Sequence, residues 1–490
     1  MSAVQIAEDT YRDKVFGCWM GKNIGGTLGA PYEGQKEVHT LDFYDPVPTE
    51  PAANDDLDLQ LVWLKMLQDR GIYPSVGDFA DYWVKNLGPY PWNEYGFCRR
   101  NLDRGLRPPI SGCFENYYID EMGSPIRSEI WACVAPGDPD LAAALAWNDA
   151  VLDHSGGEGM YGEMFWAALE SAAFVISDPK TLIEIGLNMI PCHSRIHRAV
   201  KDALWCYEND VSWEDVREQT LHSFGHYQPC SAPQNHAFTI IGWLYGKDFG
   251  DRLCAAVNCG YDTDCSGATL GSVLGIVGGR DAIPQKWIDP ISEQIVLHKF
   301  TQNLDAPESI SDLTDQTVEV GRRMLAERSE QSSIASEAAE PEDLLSRLYD
   351  NTLALAALQQ DPLSTIERVE GHDLALHYNG DPVIRPGIEK LIGVSVRKDY
   401  ELLDADVTVE APAGWSIEKA PDSPNQTRFV MEADEVEGDN FITISATAGG
   451  EKLQAEYLIL GPQNAQGFPC SVNVERCPEC GARVESCICP

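Results

Sequence analysis

The chain has 490 residues, 43% hydrophobic and 9% aromatic, which excludes a disordered protein and leaves room for two or three domains. Its 77 acidic residues against 36 basic give a net charge of −41, which argues against a nucleic-acid partner, since binding that backbone needs Lys and Arg. No run of about 18 apolar residues occurs, and the opening "MSAVQIAEDTYRDKVFG" has no basic region followed by an apolar one, so neither a membrane span nor a secretory signal is expected.

Residues 8 to about 330 read as helices. After the first of them, "GGTLGAPYEG" packs four glycines and a proline into a tight turn that carries Glu33. "NDDLDLQLVWLKMLQDRG" begins with Asp55, Asp56 and Asp58, spaces Leu57, Leu61, Leu64 and Leu67 as a helix, and stops at Gly71. "DPDLAAALAWNDAVLDH" starts at an acidic cap and carries an Ala/Leu stripe. "GEMFWAALESAAFVIS" is apolar nearly all round and predicts a central helix. "DVSWEDVREQTLHSFG" is amphipathic. "NCGYDTDCSG" places Asp262 and Asp264 just before the small, aliphatic run "ATLGSVLGIVGG".

Residues 327–343 are polar, without aromatics, and read as a linker or helix end; "PEDLLSRLYDNTLALAALQQ" is a further helix. From about residue 370, "IGVSVRKDY", "ADVTVEAP", "TRFVMEAD", "FITISATAGG" and "KLQAEYLILGP" alternate apolar and polar residues between turns, which predicts antiparallel strands. The expected organisation is an all-α domain over 1–330, a linker and helix over 331–369, a small β-sandwich over 370–465 and a Cys-rich tail over 466–490, with no internal repeat. The tail pattern "CPECGARVESCIC" offers Cys477, Cys480, Cys487 and Cys489 as a zinc site, although the second pair is one residue tighter than the usual spacing. The other reading of this tail is free thiols. The ten cysteines up to Cys265 show no framework, and reduced thiols in a cytoplasmic protein are expected.

Two acid pairs, Asp55 with Asp56 and Asp262 with Asp264, thus stand far apart in sequence at the edges of apolar helices. One reading makes them a helix cap and a turn. The other brings them together in the core, where their repulsion demands hard cations such as Mg²⁺, Mn²⁺ or Ca²⁺.

Four stretches in order resemble the ADP-ribosylglycohydrolase family: "VFGCWMGKNIGGTLGAPYEG", "NDDLD", "MGSPIRSEIWACVAPGDPDLAAALAWNDAVLDH" and "AVNCGYDTDCSGATLGSVLGIVGGRDAIPQKW". The resemblance covers residues 8 to about 300. It implies an all-α catalytic domain in which Asp55, Asp56, Asp262 and Asp264 hold two Mg²⁺ ions, with Mn²⁺ as a substitute. Glu33 matches a mobile glutamate near the metals, and Gly123, Ser124 and His154 match a region that contacts substrate phosphates. Arg127 is expected to tie helices through a buried carboxylate.

The chain departs from the family pattern at Asn54, which replaces a Thr, at Tyr261, which replaces a Gly, and at Cys265, which replaces a Thr or Ser. A thiol is a soft, poor Mg²⁺ ligand, so one metal position is in question. The expected activity is hydrolysis of a ribosyl C1 bond, with Glu33 and then Asp56 as the residues for proton transfer. The substrate implied is an ADP-ribosylated acceptor, free or on a protein, or an ADP-ribose ester; its pyrophosphate can be met by metals and backbone N–H groups. Another furanoside or a nucleoside is the alternative substrate, and a non-catalytic binding protein the second alternative.

Overall fold

The computed structural model describes residues 3–88 and 93–465. The cysteines proposed for zinc in the tail, Cys477, Cys480, Cys487 and Cys489, lie outside the described residues.

The helical body is organised by two helices, Glu8–Gly29 and Thr263–Gly278, that run antiparallel in backbone contact. Gly17, Gly21, Gly25 and Gly29 recur every fourth residue, so they share one face. They meet Gly275, Gly271, Gly267 and Thr263 in turn. A Cβ added to the four glycines would stand 2.3, 2.0, 1.9 and 2.2 Å from the facing carbonyl oxygens, closer than any side chain allows. Thr263 closes the seam by donating its hydroxyl to the Gly29 carbonyl at 2.8 Å. This packing sets the turn after the first helix beside the turn before the second.

The helix Asp55–Arg70 starts at Asn54, whose side-chain oxygen accepts from the Asp56 N–H at 3.1 Å, and stops at Gly71 with φ +92°. Glu158–Ala173 is buried along nearly its whole length, as its all-round apolarity predicts. Pro139–Ala150, capped by Asp138, is buried at every residue rather than on a stripe. One feature departs from a purely α expectation. β1 (Val4–Ala7) pairs in parallel with β2 (Ser332–Ala335), inside the stretch read as a linker. Four residues of "SSIA" are too few and too polar to signal a strand. No helix among the described residues is long and apolar enough to cross a membrane.

The C-terminal strands are β3 (Ser364–Val369), β4 (His372–His377), β5 (Lys390–Lys398), β6 (Glu401–Leu403), β7 (Ala405–Glu410), β8 (Ser416–Lys419), β9 (Thr427–Glu432), β10 (Asp439–Ala448) and β11 (Glu451–Leu460). They form two antiparallel sheets, ordered β11-β10-β7 and β3-β4-β5-β9-β8, with β6 beside β5. Alternate residues of both sheets, Leu376, Val394 and Met431 against Ile442, Ile444 and Tyr457, share one core. β3 begins six residues before the expected start of this unit. Its Ile366 N–H donates to the Pro108 carbonyl at 3.1 Å, and Tyr400 donates to the Ala144 carbonyl at 3.0 Å. Leu106 and Ile110 from the helical body complete the sandwich core, so the two units are packed together.

Candidate metal centre

The three sequence-predicted stretches meet at one end of the glycine seam. The first helix runs into a tight turn, Ala30–Tyr32, that delivers Glu33. The Gly34 N–H donates to the Tyr261 carbonyl at 2.8 Å and the Tyr261 N–H to the Gln35 carbonyl at 2.6 Å, which ties this turn to the D-x-D turn. Tyr261 sits at φ +72°, a conformation that favours glycine. Its ring is taken up by Phe238 and by the Arg217 guanidinium, with centroid distances of 5.8 and 5.9 Å. Asp262 precedes the helix Thr263–Gly278, and its N–H donates to the Asn235 side chain at 3.3 Å.

Two groups of candidate ligand atoms result. Those of Asp56, Asp264 and Cys265 all lie within 4.8 Å of one another, and so do those of Glu33, Asp262 and Cys230. Asp55 acts electrostatically on Glu33, Asp262 and Asp264, so it belongs to the same centre. Asp55, Asp264 and Glu33 line a cavity of about 560 Å³, with Asn54, Pro48 and His298 on its other walls.

The electrostatics suit a bound cation. Asp56 and Asp262 are 0% and 1% exposed, and neither oxygen of either carboxylate has a hydrogen-bond partner among the described residues. Burial, with Asp55 and Asp262 adding repulsion against the pull of Lys22, pushes the Asp56 carboxyl far up. Burial and then Asp262, Glu33, Asp56 and Asp55 do the same to Asp264. Burial, then Asp262 and Asp55, raise Glu33 to about 7. Buried acids without partners are costly unless protonated or bound to a cation, so the donor set fits divalent ions. Asp58 does not join them: it accepts from the His298 N–H at 2.5 Å and the Thr301 hydroxyl at 3.0 Å, fixing the segment that brings His298 to the cavity.

Gly123, Ser124 and His154 lie in a buried layer, in which Gly123 and Ser124 are turned to protein partners and His154 Nε2 has no hydrogen-bond partner among the described residues. Ser124 donates its hydroxyl to Glu163, and the Gly123 carbonyl accepts from Arg127 at 2.8 Å and Tyr95 at 2.9 Å. His154, fully buried, contacts Asp153 through Nδ1 at 2.8 Å and approaches Glu94 through Nε2 at 3.6 Å. Burial works against its charge, but Asp153 and then Glu94 prevail and raise the imidazole to about 9. Arg127 forms a two-pronged contact to Asp153 at 2.8 and 2.9 Å and reaches Asp149 at 2.8 Å. This is the helix-tying role expected of it.

Sequence reasoning missed several groups here. Lys22 pairs with Glu129 at 2.8 Å, both fully buried, and is the cation whose field opposes that of the acids at Asp56. Glu121 connects the two layers: burial first, then Glu94, push it up to about 9, and Asp262 adds to this. Cys230 reaches the acids because its carbonyl accepts from the Met122 N–H at 2.9 Å, which pins its loop. A lysine inside a glycine-rich apolar helix was a readable signal for Lys22; nothing in the surroundings of Glu121 or Cys230 marks them.

A comparison with protein families matches the ADP-ribosylglycohydrolase model over residues 7–350. An uncharacterized protein of Archaeoglobus fulgidus is 24% identical over 310 residues, covering 60% of this chain and 96% of that protein. A solved structure titled ADP-ribosylglycohydrolase-related protein complex aligns with a TM-score of 0.46 and 21% identity, over 64% of this chain and 99% of that one.

Proposed function

Because the chain belongs to the ADP-ribosylglycohydrolase family, whose members are glycohydrolases, we propose that it is a metal-dependent hydrolase of a ribosyl C1 bond. Its substrate on this reading is an ADP-ribosylated acceptor or an ADP-ribose ester. The observation that carries the reading is the convergence of Asp56 with Asp264 and of Asp262 with Glu33, Asp56 and Asp262 being buried without partners among the described residues, beside a cavity that Glu33, Asp55 and Asp264 line.

Asp55, Asp56, Asp262 and Asp264 would hold the divalent ions, which when bound supply Lewis acidity toward sugar hydroxyls and water. Glu33 stands on the cavity wall, on a turn rather than inside a helix, and can approach a bound sugar. With its carboxyl near 7 in the metal-free protein, it exists in both protonation states around neutrality, the condition for giving and taking a proton. It would hand a proton to the leaving group at C1, or take one from the attacking water. Asp56 is the second candidate for that role. The surrounding carboxylates stabilise the positive charge that develops on the ribosyl ring. Gly123, Ser124 and His154, matched to a phosphate-contacting region, would act in this scheme as positioning residues through Arg127, Glu163 and Glu94 respectively.

One observation favours a second substrate class. Among the described residues lining the cavity, none is Lys or Arg, and His298 is the one basic side chain. An uncharged furanoside or nucleoside needs no cationic wall. The test is turnover of ADP-ribosyl-arginine, ADP-ribosyl-serine, nucleosides and furanosides by the purified protein, with divalent ions and with chelator. Chelator-sensitive release of ADP-ribose supports the first class, and release of free base or sugar alone supports the second. No turnover of any substrate, with metal bound, would leave a binding protein.

A further inference from the structure

We propose that this chain binds its divalent cations through sulfur as well as oxygen, Cys265 joining Asp56 and Asp264, and Cys230 joining Glu33 and Asp262. The site then selects a borderline ion of the zinc or cobalt class over magnesium. The inference rests on the metal centre of the proposed function and concerns what that centre takes.

Each group contains two carboxylates and one thiol, with ligand atoms within 4.8 Å of one another. Two atoms bound to one ion stand at most about 4.6 Å apart, twice a bond of about 2.3 Å, so each triad is within a small side-chain movement of closing on an ion. Three protein donors with a further position left for water or substrate is the pattern of catalytic zinc sites. The two thiols come from different elements. Cys265 lies in the first turn of Thr263–Gly278, beside the acids that precede it. Cys230 lies on the loop pinned to Met122.

A thiol placed for packing alone would face apolar neighbours; these two face carboxylates, of which Asp56 and Asp262 have no hydrogen-bond partner on either oxygen among the described residues. Thiolate is a poor partner for Mg²⁺ and a good one for Zn²⁺ and Co²⁺. On binding, each S–H bond is replaced by an S–metal bond, and the proton goes to solvent.

The experiment is a titration of full-length, metal-free protein with Co²⁺, followed by absorption and by calorimetry. Wild type is compared with Cys265→Ser, Cys230→Ser and Asp262→Asn. The tail cysteines are present in all four proteins, so they cancel in the difference spectra. The expected result is a sulfur-to-cobalt charge-transfer band that falls in each cysteine variant, with Zn²⁺ affinity reduced about tenfold or more and Mg²⁺ affinity kept or raised. Thermal melts check each fold. Should Cys265→Ser not fold, Cys230→Ser carries the same readout for the other triad. Co²⁺ binding that Asp262→Asn weakens, with no difference band for either cysteine, would overturn this inference and leave the carboxylate site standing. A band lost only with Cys477→Ser and Cys480→Ser would place the sulfur ligands in the tail and overturn it as well. Divalent ions that bind wild type and Asp262→Asn alike would overturn both this inference and the proposed function.

Discussion

In the sandwich, Lys390 is 8% exposed and gives its ammonium to the carbonyls of Tyr378 and Asp381 at 3.0 and 2.7 Å. In the helical body, Asp56 is fully buried and neither of its oxygens has a partner among the described residues. The sandwich hides few charged groups and meets several of its buried polar ones, such as Lys390, Arg397 and Asn440, with backbone carbonyls. The helical body hides many acids, among them Asp56, Glu94, Glu121, Glu163, Glu170 and Asp262, around far fewer buried cations such as Lys22 and Arg127. The helical body carries charge that folding does not need, and this excess is where the chemistry belongs.

The largest expected effect tests that excess. Asp56→Asn should lower metal affinity and hydrolysis by more than the 10- to 100-fold typical of residues one shell away from a metal. The same change should raise the stability of the metal-free protein, because a charge repelled by Asp55, Asp262 and Glu129 is removed. Metal titration and chelator-treated melts measure the two sides; a lower melt without metal would show that Asp56 is satisfied by the fold.

Arg127→Leu comes next. It strands Asp149 and Asp153 in the core and should cost about 3–5 kcal/mol in urea unfolding. The sandwich counterpart, Lys390→Met, frees two carbonyls near the rim and should cost about 1 kcal/mol. Equal losses would erase the distinction between the two regions.

The smallest effect is in pH. Burial and Glu94 raise Glu121 to about 9, so the folded protein holds a proton that the unfolded chain has released. That contribution is complete below the ordinary carboxyl range and is lost as pH rises through about 9. Burial lowers Lys390 to about 8, so its contribution is complete above the ordinary lysine range and is lost as pH falls through about 8. Denaturant midpoints across this span should flatten at the lower pH end in Glu121→Gln and at the upper end in Lys390→Met. Unchanged slopes would remove both groups from the account.

The acid pairs were legible because two of them stood at apolar helix edges, a place that needs a reason. The family resemblance supplied Glu33, and its turn placed it. Strands β5, β7, β9, β10 and β11 were legible in their alternation, such as "ADVTVEAP", while the three- and four-residue β6 and β8 were not. The pairing of β1 with β2 was not, because four-residue strands carry no period and their contact spans more than 300 residues. Cys230 and Glu121 were illegible for a related reason. Their significance comes from Asp262, which a loop contact brings to them and no local pattern announces. Asn54 could be read as a cap from its position alone, and Tyr261 as a residue strained where glycine is usual, once its φ was known.

The seam between Gly17, Gly21, Gly25 and Gly29 and their partners has a consequence for which changes this chain can accept. Related proteins usually drift by exchanging side chains that repack around one another. Here the surfaces in contact are main chain, and there is nothing to exchange. In this chain the spacing between the Glu33 turn and the Asp262 turn is therefore set by main chain, while another wall of the cavity, Pro46 to Asn54, is loop. New substrates would be reached by rewriting that wall against an unchanging anvil.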